Sequence, residues 1–138
     1  MTKSARYLLD TNILSDLIKN PRSPLAQRVG RQADQLCTSL IVACELRYGA
    51  AKKGGVTLQQ KVNALLDQFP VRSLEDGVDR QYGKIRAELE RQGKPIGMND
   101  LLIAAHARHL GLTLVTANTR EFQRVPGLTV ENWLADIS

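Results

Sequence analysis

The stretch Arg6-Tyr7-Leu8-Leu9-Asp10-Thr11-Asn12-Ile13-Leu14 decides the fold. Arg6 to Leu9 reads as a short buried strand that ends at an acid, Asp10. Thr11 and Asn12 then offer capping side chains, and Ile13, Leu14, Leu17 and Ile18 recur at the spacing of a helix face. The first charged residue after the strand therefore stands at the strand's carboxyl end.

The same alternation continues outward from this stretch. Pro21 and Pro24 break the chain before a second helical segment, and Gln35 to Thr38 is predicted as a second strand. Ser39 is a good N-cap for a helix whose apolar positions are Ile41, Cys44 and Tyr48; Glu45 lies within it, and Ala50-Ala51 can carry the helix past Gly49. Leu58 to Phe69 is predicted as an amphipathic helix stopped by Pro70, Val71 to Leu74 as a strand, and Val78 to Gln92 as a helix ended by Gly93. After the loop Lys94-Pro95-Ile96-Gly97, the run Leu101 to Ala105 is apolar on every side, which marks a buried helix with Asp100 at its start. Leu112 to Val115 reads as a strand, and a strand from Val125 to Val130 is expected before a tail anchored by Trp133. Strands alternating with helices argue for an α/β fold with a central, mostly parallel sheet covered on both faces, and ligands in such folds gather at the carboxyl ends of the strands. With no internal repeat and no dividing linker, residues 1–138 are expected to form one domain.

Composition narrows the partners. The chain is 43% hydrophobic and 24% charged with five prolines, which leaves no tract for disorder or low complexity. Nineteen Lys and Arg against fourteen Asp and Glu give a net charge of +5, and the pI near 9.5 suits a partner rich in phosphate. Cys37 and Cys44 fit no metal-binding or disulfide pattern and read as two buried small hydrophobes. The apolar cluster Tyr7 to Leu9 is too short for a signal-peptide core or a membrane span, so a soluble cytoplasmic protein without membrane association is expected.

Three carboxylates occupy places where a sequence avoids charge: Asp10 at a strand tip, Glu45 among apolar helical neighbours, and Asp100 before five apolar residues. Taken singly, each is equally well a cap or half of an ion pair. If they converge, their repulsion demands compensation, and hard oxygen donors suit Mg²⁺ or Mn²⁺. Such ions activate water and neutralise charge on a phosphate, so no protein nucleophile is needed. At a helix start, Asp100 also gains from unsatisfied N–H groups and the macrodipole.

The blocks Leu9-Asp10-Thr11-Asn12, Ser39-x5-Glu45-Leu46-x-Tyr48-Gly49, Ile96-Gly97-x-x-Asp100-x-x-Ile103-Ala104-x-His106-Ala107 and Val115-Thr116-x-Asn118-x-x-Glu121-Phe122, in this order, resemble the VapC-type PIN domains over nearly the whole chain. The resemblance implies a PIN-domain α/β/α sandwich and a toxin component of a type II toxin-antitoxin system. Its activity would be a metal-dependent endoribonuclease, with Asp10, Glu45 and Asp100 as catalytic and metal-binding acids. It further implies Thr11 and Asn12 as the active-site turn and Thr116 as a hydroxyl beside the metals. Many members carry a fourth acid where this chain has Asn118; the amide oxygen is retained as a weaker metal ligand, with Glu121 as its possible substitute. The implied cofactor is Mg²⁺ or Mn²⁺. The implied partners are RNA, with tRNA and initiator tRNA as the expected target, a VapB-type antitoxin that blocks the acidic pocket, a second copy in a homodimer, and promoter DNA through the antitoxin complex alone.

Around these acids, Arg91, Lys94, Lys52 and Lys53 are the candidates for gripping the RNA backbone, with Arg47 and Arg86 beside them. At ~100° per helical residue, His106 and His109 lie about 240° and 180° around from Asp100 and are expected to be structural. A haloacid-dehalogenase-like phosphatase would need a second aspartate two residues after Asp10, where Asn12 stands, and no glycine-rich nucleotide-binding motif follows a strand. A receiver domain would also place an acid at the first strand's end. A housekeeping PIN nuclease of RNA processing is the nearest alternative, ahead of a scaffold that only binds RNA or protein, because all three acids are present.

Overall fold

In the computed structural model, which describes residues 5–134, Tyr7–Leu9 form the central strand (β1) of a five-stranded sheet. β1 pairs in parallel with Leu36–Ser39 (β2) on one side and Thr113–Val115 (β4) on the other, aligning Leu9 with Thr38 and with Val115. Val71–Arg72 (β3) and Val130–Glu131 (β5) form the edges, giving the all-parallel order β3-β2-β1-β4-β5. Chain order reverses between β1 and β4, so the crevice expected of such sheets opens at their carboxyl ends.

Each strand hands over to a helix through a local signal. Thr11–Lys19 (α1) is capped by Asp10 itself, whose carboxylate accepts from the Thr11 backbone N–H, so Thr11 and Asn12 are the first helical residues instead of the cap expected of them. Pro24–Arg31 (α2) starts on Ser23 with Pro24 in the first turn, the position where a missing N–H costs nothing. Leu40–Lys53 (α3) is capped by Ser39 and runs through Gly49 to stop at Gly54. Val56–Leu66 (α4), Val78–Arg91 (α5), Met98–Leu110 (α6) and the single turn Thr119–Phe122 (α7) complete the set.

The core lies under these helices. Leu8, Leu9, Ile13, Leu14 and Leu114 have no exposure, and α6 buries Leu101 and the continuous run Ile103 to Ala107, as its apolar sequence predicts. Each such large side chain contributes about 1.5–3 kcal/mol relative to exposure. Trp133 anchors the tail as expected, edge-on to Tyr7 and with the Arg28 guanidinium 3.9 Å from its ring centre.

Two further expectations need correction. The core face of α3 is Val42, Ala43, Leu46 and Ala50, whereas Cys44 and Tyr48 are exposed, because this helix is apolar around much of its circumference and the stripe chosen from sequence is the outer one. Cys37 is buried as expected, and burial pushes its thiol up to about 11. The strand expected over Val125 to Val130 shrinks to Val130–Glu131, since Pro126 and Gly127, the latter at φ +75°, form a turn that no strand accommodates. No helix among the described residues is long and apolar enough to cross a membrane.

Candidate active site

Asp10 ends β1 and is almost wholly buried, so its backbone and both carboxylate oxygens must find partners. Its N–H donates to the Val115 carbonyl, which ties the strand end to β4. One oxygen accepts from the Thr11 N–H at 2.7 Å; the other accepts from the Thr116 hydroxyl at 2.8 Å and the Asn12 amide at 3.3 Å. Thr116 has no exposure, and its oxygen also accepts from the Asn118 N–H at 3.0 Å. Asn12 spans the same gap, its carbonyl accepting from the Ala117 N–H at 2.9 Å. The turn after β1 and the turn after β4 are thus one hydrogen-bonded unit with Asp10 at its centre.

Glu45 projects toward this unit from the second turn of α3. The Thr11 hydroxyl donates to one of its oxygens and the Asn99 amide reaches the other at 3.4 Å. Asp100 enters from the first turn of α6, and Glu121 from α7 lies beside it. Glu121 is itself oriented by the Gly97 N–H at 3.2 Å and by the Asn118 side-chain amide.

The electrostatics follow from this crowding. Burial raises the Asp10 pKa, the Thr116, Thr11 and Asn12 hydrogen bonds pull it back, and the Glu45 charge raises it further. Asp100 is pushed up to about 7, first by burial, then by sharing a hydrogen bond and charge with Glu121, with Asp10 and Glu45 adding to the repulsion. Among the described residues none of the four carboxylates forms an ion pair. The donors that reach them are neutral hydroxyls, amides and backbone N–H groups, which orient carboxylates without cancelling their charge.

Asp10, Glu45 and Asp100 therefore share one electrostatic site, with Thr11, Asn12 and Thr116 as their immediate supports. The Asn118 amide group donates to Glu121, which places an acid from α7 where the sequence offered an amide. Glu121, named from the sequence only as a substitute for Asn118, takes the place beside Asp100, and Asn99 is the site residue that the sequence reading did not select, having no signal beyond adjacency to Asp100. Among the described residues no three acid, histidine or cysteine side chains close into a complete metal cage. The carboxylates stand as separately oriented donors around a shared space, an arrangement that fits Mg²⁺, which keeps several waters and takes only one or two carboxylates.

The cations distribute unevenly. Arg91 is paired with Glu88 on α5, and Arg86 with Glu90 and the Tyr82 hydroxyl. Lys94 is exposed, Lys52 lies over the Tyr48 ring at 6.0 Å, and Lys53 lines a cavity that reaches Thr11 and Glu45. His106 and His109 turn away from the acids, to Ser39 at 2.8 Å and Glu75 at 3.2 Å. The His109 ring packs against Gly77, at φ +106°, where any Cβ would fall 2.4 Å from a ring carbon.

Comparison with known proteins gives the same picture at the level of family. The PIN-domain profile matches residues 7–128. The chain is 39% identical over 132 residues to the tRNA(fMet)-specific endonuclease VapC of Shigella flexneri, covering 93% of this chain and 98% of that protein. It is 41% identical over 133 residues to ribonuclease VapC2 of Haemophilus influenzae, covering 94% and 98%. Among solved structures, DNA-bound VapBC of Salmonella typhimurium contains a chain that superposes with a TM-score of 0.86 at 36% identity, covering 94% of this chain and 98% of that one. Joined to the parallel sheet and the acids at its carboxyl end, these matches show that the chain belongs to the PIN-domain family, in its VapC branch.

Proposed function

We propose that the protein is a toxin ribonuclease that hydrolyses phosphodiester bonds in structured RNA, with tRNA, and initiator tRNA in particular, as the target class. One observation carries this reading: four carboxylates from four separate elements meet at the carboxyl end of the sheet with neutral donors and no ion pair among the described residues. The names of the Shigella and Haemophilus relatives support the reaction, and the former supports the tRNA target.

Asp10, Glu45 and Asp100 would hold Mg²⁺ or Mn²⁺, with Glu121 beside Asp100 and Asn118 orienting it. Bound there, such an ion would lower the pKa of an attacking water and offset the charge that builds on the phosphate. The chain's own contribution is orientation. Thr116, Asn12 and the Thr11 N–H fix both oxygens of Asp10, and the Thr11 hydroxyl and Asn99 amide hold Glu45. The Asp100–Glu121 pair retains a proton near neutral pH that a bound cation would displace.

The expected assembly is a homodimer held inactive by a VapB-type antitoxin, reaching promoter DNA through that antitoxin, in the cytoplasm. The DNA-bound VapBC complexes of Salmonella typhimurium and Rickettsia felis support the antitoxin partner and the contact with promoter DNA. The deciding experiment incubates the purified protein with total RNA, with and without Mg²⁺ or Mn²⁺, and maps new 5′ ends. Cleavage giving 5′-phosphate and 3′-hydroxyl ends, abolished by EDTA, is expected; undiminished cleavage in EDTA or 2′,3′-cyclic phosphate ends would overturn the mechanism.

A further inference from the structure

Beside Glu45 a cavity of about 250 Å³ opens between α1, α3 and α4. Thr11 and Glu45 form its wall nearest the acids, and Ile18, Leu46, Leu58 and Val62 give it apolar sides. Lys19 and Lys53, the last residues of α1 and α3, line it and are exposed. Ile18 also borders a second cavity of about 210 Å³ along α1 and α4, in which Lys61 is the charged lining residue. Apart from Glu45 at the end of this groove, every charged side chain that lines it is a lysine. None of the three lysines is in an ion pair among the described residues, unlike Arg86 and Arg91 on α5.

We propose that this groove seats the RNA next to the cut, with the base of one nucleotide adjacent to the scissile phosphate on the apolar sides and its flanking phosphates on Lys19 and Lys53. Lys61 continues the track. The inference rests on the ribonuclease reading and deepens it. An acidic centre repels a phosphate chain, so the substrate must draw its binding energy from cations close by, and unpaired ammonium groups are the usual grip on a nucleic-acid backbone. The groove has the two properties a nucleotide requires, apolar surface and positive charge, and it is continuous with the acids. A polypeptide occupant would satisfy the apolar sides but would have to bring its own acids for the lysines.

The test uses the whole protein, a cleavable RNA substrate, and a single-stranded RNA in EDTA for binding without cleavage. For Lys19→Glu/Lys53→Glu the expected result is a KM raised about tenfold or more with kcat within about twofold, and a slope of log K against log salt reduced by about 1.4, the share of two single-strand phosphates. Lys19→Ala/Lys53→Ala should move both in the same direction by less, and Lys84→Ala, on the exposed side of α5, should move neither. Equal thermal midpoints confirm that the variants fold. Leu58→Trp, which fills the cavity, should change the nucleotide found beside the cut in 5′-end maps. An unchanged KM and salt slope in the double charge reversal, with wild-type cleavage intact, overturns the groove alone. The same result accompanied by lost binding of a polypeptide partner overturns it in favour of that occupant. If wild type neither binds nor cuts RNA, the ribonuclease reading falls and the groove with it.

Discussion

Asp10 and Ser39 occupy equivalent places on neighbouring strands: each is buried, follows or ends a strand of the β1–β2 pair, and caps the next helix with its side chain. Their surroundings diverge. Around Asp10 gather further carboxylates, held by neutral donors and pushed up in pKa by one another and by burial. Around Ser39 the partner is the fully buried His106, whose pKa is lowered chiefly by burial and then by Arg72. The same backbone device thus supports a region where like charge is concentrated at a cost in stability and a region where charge is kept out. On the proposed function the first serves chemistry, whereas the second serves the fold.

This contrast is most easily broken by Asp100→Asn. It should lower kcat by on the order of a thousandfold, the equivalent of several kcal/mol of lost metal-assisted stabilisation, while the protein in EDTA melts no lower than wild type. Mn²⁺ should then raise the wild-type midpoint and leave the variant behind, since a ligand stabilises the state that binds it. A variant that melts well below wild type in EDTA would make Asp100 a structural residue. His106→Ala should do the reverse, costing about 2–4 kcal/mol in urea unfolding through the cavity and the lost Ser39 contact, with kcat of the folded fraction unchanged. A drop in kcat without loss of stability would move His106 into the site. Thr116→Val sits between the two, removing one donor from Asp10; activity should fall about 10–100-fold with a higher Mn²⁺ requirement.

The smallest effect is the sharpest in sign. The Asp100 carboxyl is held at about 7 against an unfolded value of 3.8, so the folded state binds the extra proton and the stability this gives, present at low pH, is lost as pH rises through about 7. His106 is depressed below 6.5, so its contribution is present above that value and is lost as pH falls through the folded pKa. In thermal midpoints of the metal-free protein between pH 5 and 8, Asp100→Asn should therefore remove a fall with rising pH that lies below about pH 7, and His106→Leu should remove a rise with pH that lies below 6.5, while neither changes the slope above pH 7. Identical pH profiles for wild type and both variants would remove the electrostatic distinction between the two regions.

Much of this was legible in the chain. The β1 stretch and the buried α6 run follow from local pattern, because burial leaves periodic apolar spacing; a charge inside it stands out, as Asp10, Glu45 and Asp100 do, but their grouping into one site comes from the ordered motif blocks. The outer face of α3 was misassigned because Val42, Ala43 and Leu46 compete with Ile41, Cys44 and Tyr48 for the same core, and only packing against other elements decides between them. Asn99, and the pairing of Glu121 with Asp100, were beyond local reading for another reason. Their roles depend on which loops the sheet order brings together, and neither lies in an apolar setting that would make a polar side chain conspicuous.

The central position of β1 also orders events in time. Asp10 is supplied early, but Val115, which ties its backbone, and Thr116, which holds its carboxylate, come more than a hundred residues later, after every helix except α7 has been made. A growing chain carries the first acid without the strand that completes its setting, and a parallel pairing over that separation is slow to form. The four-acid site is consequently one of the last features of the fold to be completed, and it stays open until the chain is nearly whole.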